Sequence, residues 1–239
     1  MCSSDLPPVL MVAAKWNWDM AFMLSHIGWR ATIACFINAA ALVLLFRREL
    51  CAHPHLNEPS RREVPLSVSV VHVLFLAAVV VFAHHPVIFM GLFLFFLGYT
   101  TAYKAYQSPL ILREALMVAF FLAGLVVLGG MQDWWLKPAL LSMDSSAVYY
   151  GATALTAITD NAALTYLGSL VEGLSEEFKI SLVMGAVTGG GLTLIANAPN
   201  PAGAAILKVR FSDQAISAKD LFLAASLPTL VAIVCMRFI

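Results

Sequence analysis

The chain has 239 residues, of which 61% are hydrophobic and 12% charged, and its mean hydropathy is +0.85. That profile excludes an ordinary water-soluble domain and makes a lipid bilayer the solvent. Fourteen basic and fourteen acidic residues cancel to a formal net charge of zero, so there is no bulk positive field to hold nucleic acid.

The opening "MCSSDL" has neither the basic start nor the apolar core of a signal peptide. It matches an in-frame translation of the end of a widely used sequencing adapter, with the start codon read as Met. Residues 1–6 are therefore expected to be an artefact and carry no fold reading. Residues 7–130 follow as a block of transmembrane helices. The first span is predicted at 20–46 and ends in a basic, proline-bearing loop, "RRELCAHPHLNEPSRRE", residues 47–63, with four arginines. Spans at 66–83, 87–103 and 112–130 come next, each of about 17 to 19 residues, enough to cross a hydrocarbon core of roughly 30 Å. Only "HHP" separates the middle two, which predicts a tight antiparallel pair.

After residue 130, "MQDWWLKP" puts Trp134 and Trp135 where an aromatic belt belongs. The positive-inside rule assigns loop 47–63 to the cytoplasm, the His84–His85 connection to the outside, residues 104–113 to the inside and the tryptophan pair to the outside. Lys208, Arg210 and Lys219 make the loop before the last span, 221–236 within the C-terminal block 211–239, cytoplasmic too.

Within a module spanning residues 131–210, which opens with an interfacial segment, residues from about 145 to 207 must then cross a net odd number of times, and two unusual segments share that task. Segment 145–171 carries one charge, Asp160, at its midpoint. As one helix it would be about 40 Å long, more than a span needs, whereas two arms of roughly 20 Å meeting at "TDN" make a re-entrant hairpin with its tip near the midplane. Segment 180–207 contains "TGGGLTLIANAPNPAG" and no charge before its end. Gly189, Gly190 and Gly191 each weaken a helix by about 1 kcal/mol, and Pro199 and Pro201 remove amide donors, so this crossing is predicted to be an interrupted helix. Broken backbone at that depth persists only where it is buried or lines a watered cavity.

These residues carry a resemblance. "ATALTAITDNAALTYLGSLVEGLS" followed by "AVTGGGLTLIANAPNPAGAAILK" resembles a Na+/H+ antiporter family within the ion transporter superfamily, most densely over 136–208. The resemblance implies an all-α polytopic membrane protein of about six spanning helices plus the re-entrant hairpin and the interrupted helix. Members are built as two inverted repeats. One "TDN" and one "NAPN" occur here, so the resemblance implies the C-terminal half of such a transporter, lacking its N-terminal repeat. It further implies a multi-pass protein of a bacterial inner membrane that exchanges Na+ or another monovalent cation for protons, without a cofactor. Thr159, Asp160, Asn161, Asn197 and Asn200 are carried over as the ion site. Asp160 is then the carboxylate that takes a cation when ionised and a proton when not, with amide oxygens suited to a hard cation. Transport of another ion or a small anion, or a non-transporting scaffold, are the alternatives. Pairing of two chains as a homodimer is a further expectation.

Each residue also has a plainer reading. Asp160 could simply cap the second arm of the hairpin, although a charge near the midplane is costly by at least a few kcal/mol. Asn161 is shared between capping and coordination. Asn197 and Asn200 could tie down freed backbone, and the glycines could serve close helix packing. His26, His72 and Arg30 lie near span ends, where interface placement suffices. His53, His55, His84 and His85 show no helical ligand spacing, and Cys2, Cys35, Cys51 and Cys235 no CxxC pair, so no metal site and no disulfide framework is expected and the cysteines are read as packing residues. An intramembrane protease would need a second deep acid or a base near the broken segments, and the sequence supplies neither, so no enzyme is expected.

Overall fold

Two prolines open the first helix. Pro7 and Pro8 suit an initial helical turn, where a missing N–H loses no bond, and α1 (Pro7–Trp16) runs to Asn17, whose φ of 55° is one that asparagine tolerates. Asp19 then caps α2 (Met20–Met23), accepting the Phe22 N–H at 2.7 Å. A π-helical turn, Leu24–Gly28, leads into α3 (Trp29–Leu45), so that Met20–Leu45 runs on as one 26-residue helix. The chain continues through α4 (Arg47–Ala52), α5 (Leu66–Val81), α6 (Pro86–Ala102), α7 (Leu112–Gly129), α8 (Asp133–Leu141) and α9 (Ser145–Thr156). It closes with α10 (Asn161–Leu170), α11 (Glu176–Gly189), α12 (Asn200–Leu207) and α13 (Ala218–Phe238). This computed structural model describes residues 7–52, 64–82, 85–107, 109–129, 131–211, 213 and 215–239, and among them the regular elements are all helical. The adapter-like start with Cys2, most of the 47–63 loop with His53 and His55, and His84 lie outside the described residues.

The chain divides into two compact units, residues 52–111 and the remainder. In the smaller unit α5 and α6 are antiparallel, as the short connection predicts: Phe75 meets Phe95 and Phe96, while His72 lies edge-on to Phe96 and Tyr99. The His72 ring bridges the Val68 carbonyl at 2.8 Å and the Gln107 amide oxygen at 2.9 Å.

In the larger unit α13 runs antiparallel to α3, since Arg30 donates to the Met236 carbonyl at 3.3 Å and Asn38 to the Pro228 carbonyl at 3.1 Å. Glycines settle the packing of the rest. A Cβ on Gly185 would lie 2.3 Å from the Tyr149 carbonyl oxygen, and one on Gly189 2.5 Å from that of Thr153. The two pairs advance together, so α9 and α11 are parallel and touch backbone to backbone. On α10, Gly168 meets Leu182 whereas Asn161 meets Gly190, so α10 runs antiparallel to α11 and therefore to α9. The segment expected to fold back is thus a helical hairpin, with α11 packed against both arms.

The first helix was not expected from the sequence. α1 packs on α10 and α11, and its Val9 and Val12 join Trp18, Ile27, Tyr149, Val183 and Met184 in one buried cluster. A second cluster closes the base of the hairpin with Val148, Val171, Leu174, Phe178 and Leu182. Cys235 is buried, whereas Cys35 and Cys51 face outward, which limits the packing role read from the sequence to Cys235 among the described cysteines.

Among the described residues two helices, Met20–Leu45 and Ala218–Phe238, are long and apolar enough to cross a membrane. The pair Ala115–Gly129 and Trp134–Leu141, set at 87°, makes a third if taken as one span, and Leu66–Val81 and Pro86–Ala102 are apolar but shorter. Trp134 and Trp135 are exposed.

Candidate functional site

The turn between α9 and α10 spans only residues 157–160 and ends at Asp160, an extended residue that caps α10. Its Oδ1 accepts the N–H groups of Ala162 at 2.8 Å and Ala163 at 3.2 Å. The aspartate caps at Asp19 and Asp144 are exposed, but Asp160 is 8% exposed. A serine does the same capping work for α11, where Ser175 accepts the Phe178 N–H. A negative charge is therefore not what the cap requires at this depth.

Against this tip lies the break between α11 and α12, residues 190–199. Gly189 was expected to be part of the break but completes the last turn of α11, where its missing side chain admits the Thr153 carbonyl and the Thr156 side chain. Gly190 starts the break and is tight against Asn161: a Cβ there would lie 2.8 Å from Asn161 Nδ2. Gly191 has open space around it. Pro199 and Pro201 mark the start of α12, in the place where proline is tolerated in a helix.

The two irregular segments satisfy one another's backbone. Asn161 N–H donates to the Ala196 carbonyl at 3.1 Å, and the Thr193 hydroxyl to the Ala157 carbonyl at 2.9 Å. The Ala198 amide, from the break, also lies near the Asp160 carboxylate. Asn200 ties the break to itself, its Nδ2 donating to the carbonyls of Gly190 at 2.8 Å and Thr193 at 2.9 Å. The plainer reading of Asn200 as a tether for freed carbonyls thus describes what its amide nitrogen does. Thr159 lies in the turn and returns its hydroxyl to the Leu155 carbonyl at 2.9 Å.

Asn161 and Asn197 behave differently. Asn161 is 1% exposed and Asn197 7% exposed, and both amide atoms of Asn161 and the Oδ1 of Asn197 are buried without a hydrogen-bond partner. A buried polar atom left unpaired costs about 1–3 kcal/mol, and these atoms lie beside a buried carboxylate. Asn197 and Asn200 also line a cavity of about 400 Å3 that reaches past Gly203 and Leu207 to Ile216 and Leu221 at the start of α13.

Four helix ends meet here: the N-termini of α10 and α12 and the C-termini of α9 and α11. The C-termini direct carbonyls, and so partial negative charge, at the site. Among the described residues no group of three or more His, Cys, Asp or Glu side chains comes together. The candidate ligands are thus one carboxylate with amide and backbone oxygens, a set suited to a hard cation. Thr193 and Ala196 were missed by sequence reasoning. A second polar side chain in the break besides Asn197 was the available signal for Thr193, whereas the role of Ala196 rests on its carbonyl alone and leaves no mark in the sequence.

A family model described as "Putative Na+/H+ antiporter" matches residues 2–239. No curated protein and no solved structure matches the chain.

Proposed function

The chain belongs to this Na+/H+ antiporter family, and on that premise we propose that it exchanges a monovalent cation, Na+ first among them, for protons at the meeting of the hairpin tip and the broken helix. The observation that carries the reading is the buried carboxylate of Asp160 beside the orphaned amides of Asn161 and Asn197. Asp160 Oδ1 is engaged by the cap, and Oδ2 is the oxygen offered to the ion. Neutral amide oxygens complete the shell without adding charge that would have to be buried. A cation and a proton cannot both neutralise one carboxylate, so binding of one excludes the other, which is the chemical requirement of antiport.

In this reading the hairpin enters the membrane from the end of the larger unit that carries Trp18, Ser145 and Glu176. The Trp18 indole donates to Glu176 at 3.1 Å and Ser145 to Glu177 at 2.6 Å, which ties these groups to one end. Arg47, Arg48, Lys208, Arg210 and Lys219 belong to the other, cytoplasmic end, from which the cavity beside Asn197 leads to the site. The chain crosses a bacterial inner membrane six times, with the interrupted helix as one crossing.

The test is a pH series on purified protein in vesicles, comparing the wild type with Asp160→Asn. Asparagine caps a helix as well as aspartate does, so the variant keeps the hairpin and loses only the switchable charge. Proton-coupled cation flux is expected to vanish in the variant while insertion and thermal midpoint stay near wild type. Flux with unaltered pH dependence in that variant would move the site elsewhere.

A further inference from the structure

A second cavity, of about 350 Å3, lies away from the candidate ion site, among α3, α9, α11, α13 and the π-helical turn. Its polar lining comes from Ser25, His26, Arg30, Glu177, Ser181 and Arg237. Two of these, Arg30 and Arg237, carry guanidinium groups. Arg30 is half-buried, and its guanidinium rests on the Met236 carbonyl and, at 3.9 Å, on the Met184 sulfur, while its Nε is buried with no partner at all. Arg237 is half-buried and reaches the Ser146 hydroxyl. Among the described residues neither guanidinium lies within ion-pair distance of a carboxylate, and the single acid of the lining, Glu177, is engaged by the Ser145 hydroxyl. Charges removed from water are normally paired, and two guanidinium forks facing one cavity match an oxyanion with several acceptor oxygens.

The local backbone points the same way. The continuous helix from residue 20 to 45 widens at the cavity into the π-helical turn that carries Ser25 and His26, and such turns gather at functional positions. The Trp29 ring lies 5.4 Å from the Arg30 guanidinium carbon and its indole N–H is satisfied by the Ser25 carbonyl, which holds the arginine from one side. The volume falls in the range of ligand pockets. Glu177 and Arg237 place the cavity at the end of the bundle where the chain bonds to Ser145 and Ser146 at the start of α9, the level at which phospholipid phosphates lie if that end faces a membrane surface.

We propose that this cavity is a phosphate-binding site, with Arg30 and Arg237 gripping the oxyanion, Ser181 as a further donor and Glu177 restraining its strength. The proposal concerns binding and holds whether or not the chain moves ions.

The experiment is native mass spectrometry of the full chain in detergent, titrated with phosphatidylglycerol, with diacylglycerol of the same acyl chains as the phosphate-free control. Wild type is expected to retain phosphatidylglycerol and not diacylglycerol. Arg237→Gln should weaken retention at least tenfold, and Glu177→Gln, which removes the opposing charge while keeping an acceptor for Ser145, should strengthen it. Loss of fold cannot produce a gain, so the second variant decides the matter even if the first is unstable. Displacement by inorganic phosphate would identify a site for phosphate in general, and resistance to it a site for the lipid headgroup. Equal retention of diacylglycerol, or the two variants moving in the same direction or not at all, would overturn the proposal.

Discussion

At the level of single residues, two glycines on neighbouring turns do different work and should fail differently. Alanine at Gly185 would place its Cβ 2.3 Å from a backbone oxygen and 3.0 Å from Ala152 Cβ, neither of which can move without shifting α9. A loss of about 1–3 kcal/mol is expected, read as a lower thermal midpoint. Alanine at Gly190 meets the end of the Asn161 side chain at 2.8 Å, and that amide can give way. Here stability should change little, while apparent cation affinity in vesicles drops about tenfold, the equivalent of ~1.4 kcal/mol. Glu176 offers a pH test at the same scale. A hydrogen bond from Lys179 holds its carboxyl below the usual carboxylate range, aided by the Trp18 indole and opposed by partial burial. A carboxyl depressed in the folded state adds stability that is complete above its ordinary value near 4.3 and is lost as pH falls through the folded value. The difference in thermal midpoint between wild type and Glu176→Gln should thus hold at neutral pH and close below about pH 4. It should also be small, because the Glu176 side chain is 57% exposed.

For the helices themselves, direction is the property that can be checked. With α9 and α11 parallel and α10 reversed, residue 172 lies at the base of the hairpin and residue 219 at the start of α13, at opposite ends of the unit. Cysteine placed at Glu172 and at Lys219 should react with a membrane-impermeant thiol reagent from opposite faces, in a background with the native cysteines replaced. Labelling of both from one face would refute the hairpin's placement. Much of this layout was legible in the sequence, because long apolar runs bounded by prolines and charges leave few choices: α5, α6, α7 and α13 begin and end within a few residues of the predicted spans. The turn at Asp160 and the break before Asn200 were legible for a related reason, since polar and helix-breaking residues within apolar runs need a local cause. α1 was not, because its ten residues are too few for a span and it is held by tertiary contacts on α10 and α11. Nor was the division of labour among Gly189, Gly190 and Gly191, since glycine serves a break and a close contact equally well. The π-helical turn has no sequence pattern of its own, and the arginine cavity beside it could not be read until α3, α9, α11 and α13 were brought together.

In the whole molecule, exchange by competition makes a reciprocal demand. If Asp160 is the shared group, a cation that displaces a proton must release it to solution, by the same linkage that lets protons displace the cation. Adding Na+ to the weakly buffered protein in detergent should therefore acidify the medium, with a signal that saturates with cation concentration and disappears in Asp160→Asn. An equal release from the variant would assign the proton to another group. The backbone contact between α9 and α11 has a consequence of another kind, in the timing of synthesis. When the hairpin leaves the ribosome, α10 finds α1 already made, but the glycine face that α9 requires does not yet exist. At 5–20 residues per second, translating the roughly twenty residues from the end of α10 to Gly189 takes on the order of a few seconds. For that interval the arm with Tyr149 and Thr153 has no seat, and the polar tip at Asp160 has no broken helix to lean on. The nascent hairpin must therefore wait, held by α1 on one side only, until the chain that follows it arrives to complete the site.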